Sequence, residues 1–413
     1  MSVPTATTAT DTVEAPPSRR PSGSDLPSWV QAGMTSAGRA ALILAFVVAV
    51  AQITGEDALV SGGTAGATLR LMLPILFAAL GGIFAERSGI VNIGLEGMMI
   101  LGTWFGAYFG FESFEVLGVS FGGNAWWGLL FSAVGGALGG VVLGLSAVTF
   151  GVDHVVAGVA LNLIAPGITR FLAGEFFIPA GGSLSNSPQI QGKIGTVDLP
   201  YFGAVSWAAL LGLAMVPVLT FILWRTSFGL RLRSAGEHPW GADSLGVPVY
   251  RMQWYGVLIS GALAGAGGGL LVVDGANIYR EGQTGGRGFI ALAAVIFGNW
   301  RPQGALVGSV LFGYILALQL RSESAVHALL LAVAIAGLIA CAWFVWKKQY
   351  VPAAWTGAAG VVVGVIYFAT ESLPSQLVFT APYVVTLLVL VFASQRLRPP
   401  KAVGLRWRKG DIV

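Results

Sequence analysis

The chain has 413 residues, of which 55% are hydrophobic and only 10% charged, with a net charge of +4. Soluble domains carry about 25% charged residues, so this composition excludes a soluble enzyme, a disordered chain and a nucleic-acid binder; the mean hydropathy of +0.76 points to lipid as the solvent. A single cysteine, Cys341, rules out an internal disulfide and a cysteine metal cluster, and three histidines argue against a histidine metal site.

Residues 1–35 are rich in Pro, Ser, Thr and Ala and read as a disordered tail. No apolar run precedes Pro27, so this stretch is not a signal peptide. Twelve apolar runs follow, at 37–54, 67–85, 90–110, 125–149, 152–172, 203–224, 252–273, 287–299, 303–320, 326–346, 353–370 and 380–395. A spanning helix takes about 20 residues. Most runs qualify, whereas 287–299 is short. The run at 90–110 opens on Asn92 and Glu96, which predicts first turns that are irregular or buried in protein. With the N-terminus inside and every run crossing, 17 Lys and Arg fall inside and 6 outside. That obeys the positive-inside rule. Omitting 287–299 moves Lys347, Lys348 and the basic tail after Arg396 to the outside. The expected fold class is all-α: a polytopic integral membrane protein of about 12 membrane segments, some short or broken, with both termini cytoplasmic.

Several stretches stand out along this frame. Glu86 and Arg87 read as partners in a short cytoplasmic turn. Asn92 and Glu96 are four residues apart and read as one helix face. They serve either interhelical hydrogen bonding or contact with a solute or gate. Gly135 with Gly139, then Gly136, Gly140 and Gly144, and later Gly261, Gly265 and Gly269 repeat every four residues, a spacing that lets helix backbones approach closely. The loop from Arg231 to Pro248 mixes charges and turn formers with Leu245 and Val247, and Pro239 is placed to start a short helix. It suits a solvated loop or a partner-docking helix. Further on, Gly285, Gly286, Arg287 and Gly288 lead into the short run, which closes at Gly298-Asn299-Trp300-Arg301-Pro302. A half-length helix framed by glycine and proline is the pointer to a broken helix near a transport path. No GxxxxGK[ST], HExxH, GxSxG or CxxC pattern occurs, so this chain does not hydrolyse ATP by a P-loop route.

Five blocks occur in order: GIFAERSGIVNIGLEGMMILG (82–102), RSAGEHPWGADSLGVPVYRM (233–252), SGALAGAGGG (260–269), YREGQTGGRGFIALAAVIFGNWRPQGALVGSVLFG (279–313) and LPSQLVFTAPYVVTLLVLV (373–391). Together they resemble the permease subunit of bacterial and archaeal ABC importers of the ribose and branched-chain amino acid type. The nucleoside and simple-sugar branch is the most similar, and the likeness spans about 67–320 and 373–410. The resemblance implies a protein of the cytoplasmic membrane that is not itself an enzyme and binds no cofactor. Its implied partners are cytoplasmic ABC ATPase subunits that use ATP, a second permease, homologous or identical, and an extracytoplasmic substrate-binding lipoprotein. Nucleic acid is not among them. The implied solute is a nucleoside or related simple sugar, with a ribose-like sugar or another small polar solute as the alternative. An ion-coupled secondary transporter would want several carboxylates along a path, and Glu96 is the one clear carboxylate inside a run.

The resemblance also distributes roles. Loop 225–251 corresponds to the ATPase-coupling region, which makes Arg233, Gly236, Glu237, Asp243 and Gly246 its candidates, with Glu237 expected to be exposed. Asn92 and Glu96 are the pathway candidates, and Gly285, Gly286, Arg287, Gly288 and Asn299 mark the broken-helix segment. One departure is that about fifty extra residues follow Leu320 before the last span. The expected divisions are a tail at 1–35, a permease core at 36–322, an inserted hairpin at 323–372, a last helix at 373–395 and a basic cytoplasmic tail at 396–413. The hairpin is expected beside the core, with Lys347 and Lys348 cytoplasmic.

Overall fold

The computed structural model describes residues 42, 44–116, 119–370, 373–374, 376–378, 380–384 and 397–408. Two compact units divide the chain, Met1–Ala49 and Val50–Val413. Of the first, only Leu42 and the residues that open helix α1 (Leu44–Thr54) are described. The expected tail at 1–35 lies outside the described residues, as does most of the run 380–395.

The second unit carries α2 (Gly62–Arg87), α3 (Leu95–Phe111), α4 (Ala125–Thr149), α5 (His154–Phe176), α6 (Trp207–Arg225) and the short pair α7 (Ser227–Glu237) and α8 (Pro239–Ser244). It continues with α9 (Val249–Ala276), α10 (Arg287–Phe297), α11 (Pro302–Arg321), α12 (Glu323–Trp346) and α13 (Tyr350–Ala369). Among the described residues, eight helices are long and apolar enough to cross a membrane; α3 and α10 are shorter. Two small antiparallel hairpins interrupt the all-α plan: β1 (Phe114–Val116) with β2 (Val119–Phe121), and β3 (Thr196–Leu199) with β4 (Gly203–Ser206).

Local chemistry starts the helices where the apolar runs start. Asn124 accepts the amide of Trp126 at 2.9 Å, Asp153 that of Val155 at 2.9 Å, and Ser322 that of Ala325 at 3.0 Å. Each supplies an acceptor to a first-turn N–H that lacks one. Pro74, Pro166 and Pro217 lie inside helices, as lipid-embedded helices tolerate.

Helix α9 is the centre of the bundle, packed against α2, α3 and α4. The glycine repeats explain how. A Cβ on Gly265 would collide with the backbone of α4 at Ser132 and Gly136, and one on Gly268 with α3 at Met99. On α4 the two glycine series face different neighbours. Gly136 and Gly140 meet α9, while Gly135 and Gly139 meet Phe105, Met98 and Leu101 of α3.

The helices run between two ends. At one end Arg87, Glu237, Trp300 and segment 397–408 meet; we call it the basic end. Helix α11 rises from there to Arg321, which lies against Gly63 at the start of α2. Helix α12 returns, so the turn Lys347-Lys348-Gln349 is again at the basic end, and α13 runs back until Thr370 meets His327 at 3.1 Å. α12 and α13 pack on each other through Gly337 and Gly360, and among the described residues α13 has no comparable contact with another helix.

Candidate functional site

Between α2 and α3 the chain unwinds from Ile90 to Gly94, turning back at Gly89, whose φ of +100° is open only to glycine. Exposed peptide groups at this depth need partners from neighbouring helices. Val91 donates its N–H to His154 Nδ1 at 3.4 Å. Asn162 of α5 receives the N–H of Gly97 at 2.8 Å and donates to the carbonyl of Ile93 at 2.9 Å. Asn92 is fully buried and donates to Ser260 Oγ of α9 at 2.8 Å. Its Oδ1 has no hydrogen-bond partner among the described residues. Asn92 and Glu96 therefore do not share a helix face as their spacing implied, because the helix begins only at Leu95.

A second break faces the first. Helix α9 ends at Ala276, the chain turns left-handed at Asn277, and α10 begins after Gly285 and Gly286, both at positive φ. Glu96 reaches across and caps it. The N–H groups of Gly286 and Gly288 donate to its two oxygens at 3.0 and 2.7 Å. A carboxylate is the favoured partner there, because unpaired N–H groups and the helix dipole leave partial positive charge at that end. Gly288 has to be glycine: a Cβ would lie 2.5 Å from the Glu96 Cα. Arg287 does not meet Glu96 by hydrogen bond. Its Nη1 turns back to the carbonyls of Gln283 and Thr284, both at 3.0 Å, and braces the loop. Eleven residues make a helix about 16 Å long, roughly half of the ~30 Å hydrocarbon layer. Helices α3 and α10 are thus two short pieces joined at one buried carboxylate. Towards the opposite end, Arg170 of α5 pairs with Glu281 at 2.8 Å and ties the same loop to α5.

The basic end is a second cluster. Arg87 donates to the carbonyl of Trp300 at 3.1 and 3.0 Å and pairs with Glu237 at 3.3 Å. Glu86 accepts from the indole N–H of Trp300. Glu86 and Arg87 therefore do not pair with each other, since successive helix residues point about 100° apart. Arg233 donates to the carbonyl of Leu223 at 2.9 Å, and its guanidinium stacks on Trp224 with that of Arg87. Gly236 abuts the backbone at Arg87 and Gly89.

Segment 397–408 crosses this cluster as a strap. The N–H of Ala402 donates to Gly236, that of Gly404 to Gly89, that of Arg398 to Asn299 Oδ1 and that of Lys401 to Glu237. The Glu237 side chain is 44% exposed, as expected, and both its oxygens also have partners within the chain, Arg87 and the N–H of Lys401. Helix α8 projects beyond it. His238 caps it through Nδ1, Pro239 opens it, and Gly246 at φ +80° closes it. Asp243 is half-buried and Leu245 is 86% exposed.

The folded chain joins Glu96 to Gly286 and Gly288, and joins Gly236, Glu237 and Asn299 to the strap. It leaves Asn92 in a separate bond to α9 and puts Asn299 at the far end of α10 from Gly285. Sequence reasoning missed Asn162, Trp300 and the strap. A lone Asn in the apolar run 152–172 was a readable signal, because polar groups at such depth are costly. The strap carried none, since a basic stretch reads as solvated.

The family model for the permease component of branched-chain amino acid transport systems matches residues 64–322. The chain is 34% identical to the guanosine ABC transporter permease protein NupQ of Bacillus subtilis, over 83% of this chain and 96% of that protein. It is 32% identical to the nucleoside ABC transporter permease protein NupC of Lactococcus lactis, over 81% and 93%. A putative glucose ABC transporter permease protein of Haloferax volcanii, TsgC13, is 35% identical over 64% and 79%. No solved structure matches.

Proposed function

The chain belongs to the permease-component family of branched-chain amino acid transport systems, and we propose that the solute it passes is a nucleoside. It is the non-enzymatic, multi-pass membrane subunit of an ABC transporter, and ATP hydrolysis belongs to a separate subunit. The observation that carries the nucleoside reading is the likeness to two permeases named for guanosine and nucleosides over nearly their whole length. The likeness to a putative glucose permease keeps a simple sugar as the second reading.

In this reading the basic end is cytoplasmic, in keeping with its arginines and lysines. Helix α8, with Leu245 exposed at its end, seats in a cytoplasmic ATPase that supplies the ATP. A push there reaches Glu237, Arg87 and Trp300, and through α10 the Glu96 junction. A second permease copy or homologue completes the path, and a lipoprotein on the other face delivers the solute. The test is uptake of labelled guanosine, uridine, ribose and glucose in cells expressing the chain with its ATPase and binding protein. Saturable nucleoside uptake unaffected by excess glucose is expected; glucose uptake blocked poorly by nucleosides would replace this reading with the second.

A further inference from the structure

A small pocket opens at the basic end between the last turn of α4, the start of α5, the start of α9 and residues 405–408. It is a small cavity of about 20 Å³, where one bound water takes about 10–15 Å³, so it has room for a single compact polar group and not for a whole small molecule. Its wall is a set of donors. Gln253 is 4% exposed and lines the pocket. His154 is 3% exposed and uses Nδ1 to accept from Val91, which leaves the proton of the neutral ring on Nε2. Trp407 is 7% exposed, lies against Tyr250, and its indole N–H has no partner. Arg406 and Arg408 flank Trp407 on the rim; among the described residues no Asp or Glu lines the cavity, and Asp153 lies beside His154 at the cap of α5.

Buried donors seldom go without acceptors in native proteins. Two guanidiniums on the rim beside these donors favour an anion, and their planar forks match phosphate oxygens. We propose that this pocket binds a phosphate group at the cytoplasmic face, and that the bound anion fastens the C-terminal strap to the 88–91 turn. The strap also bonds Gly236 and Glu237, so occupancy stiffens the region between α7 and the first helix break. Phosphate has two sources here. One is a soluble phosphate ester. The other is the headgroup of an inner-leaflet phospholipid, since Phe150 and Val152 beside the pocket are exposed and apolar. The site does not depend on which solute is transported.

The test is thermal unfolding of the full-length chain in uncharged micelles. Sodium phosphate or glycerol 3-phosphate is compared with sodium chloride at equal ionic strength, and a further arm adds phosphatidylglycerol to the micelles. A raised midpoint with the soluble anions identifies a soluble ligand; a rise with phosphatidylglycerol alone identifies the headgroup. In either case the double variant Arg406→Gln/Arg408→Gln, altered only at exposed positions, should lose most of the shift. Gln253→Glu, nearly the same size, should lose it by repulsion. No shift beyond that of chloride in any arm overturns the proposal, as does an undiminished shift in the arginine double variant.

Discussion

Helices α9 and α12 are both apolar, yet they occupy opposite surroundings. The spanning stretch of α9 is 78% buried, and that of α12, the more apolar of the two, is 17% buried. The difference lies in what else they carry. Helix α9 brings Gly261, Gly265 and Gly269 against its neighbours and Ser260 to Asn92. The exposed large apolar residues of α12 are Val333, Leu338, Ile339, Trp343, Val345 and Trp346. Lipid is as apolar as leucine, so hydrophobicity does not draw spanning helices together; close backbone approach and internal hydrogen bonds do. Apolar character finds the spans, and small or lone polar residues sort the centre from the periphery.

The largest effect should come from the centre. Replacing Glu96 with Ala strands the N–H groups of Gly286 and Gly288. Hydrogen bonds to a charged acceptor contribute about 1.5–3 kcal/mol each, so the junction of α3 and α10 should weaken by about 3 kcal/mol or more. Uptake per molecule in the membrane should then fall on the order of 100-fold. Glu96→Gln, which keeps one acceptor, should fall less. Uptake close to wild type in Glu96→Ala would mean that the junction is not part of the moving machinery, and the contrast between centre and periphery would lose its functional side.

A smaller effect is expected at the basic end. Glu237→Lys sets a cation against Arg87 and removes the acceptor used by Lys401. The pair is partly exposed, and such pairs hold about 1 kcal/mol or less. Membrane insertion should persist and stability should change little. Uptake should nonetheless drop on the order of tenfold, because the residue lies between α8 and the helix breaks. Loss of uptake matched by loss of folded protein would reduce Glu237 to a structural brace.

Much of this division was legible in the sequence. Where the residues are described, the apolar runs fall on the helices within a few residues, and the glycine repeats fall on close helix contacts. The half-length run after Gly286 is a half-length helix. Three things were not legible, each for a physical reason. Four-residue spacing places two residues on one face only if both are helical, and Asn92 is not. Adjacent Glu86 and Arg87 looked like a pair, but their best partners, Trp300 and Glu237, lie more than a hundred positions away in sequence. The strap 397–408 bonds chiefly through its backbone N–H groups, which every residue but proline possesses and which leave no mark on composition.

The smallest effect should come from the hairpin. The family match ends at Ser322, immediately before α12, and α13 packs on α12 rather than on the centre. Removing 324–371 deletes two passes, an even number, so the strap should still reach Gly236 and Gly89 at the same end. Uptake should stay within about threefold of the intact chain, as expected for an element distant from the junction and sharing no partner with it. The orientation has its own check. Cys341 is the only cysteine, so Cys341→Ser gives a background in which Lys348→Cys carries the single thiol. Lys348 lies in the turn after α12, on the same end as Trp300 and the strap. A membrane-impermeant maleimide should label that thiol in inverted vesicles and leave it untouched in whole cells. Labelling from outside would reverse α12 and α13, and with them the rule that the two least buried of the candidate spans follow the charge of their connecting turn.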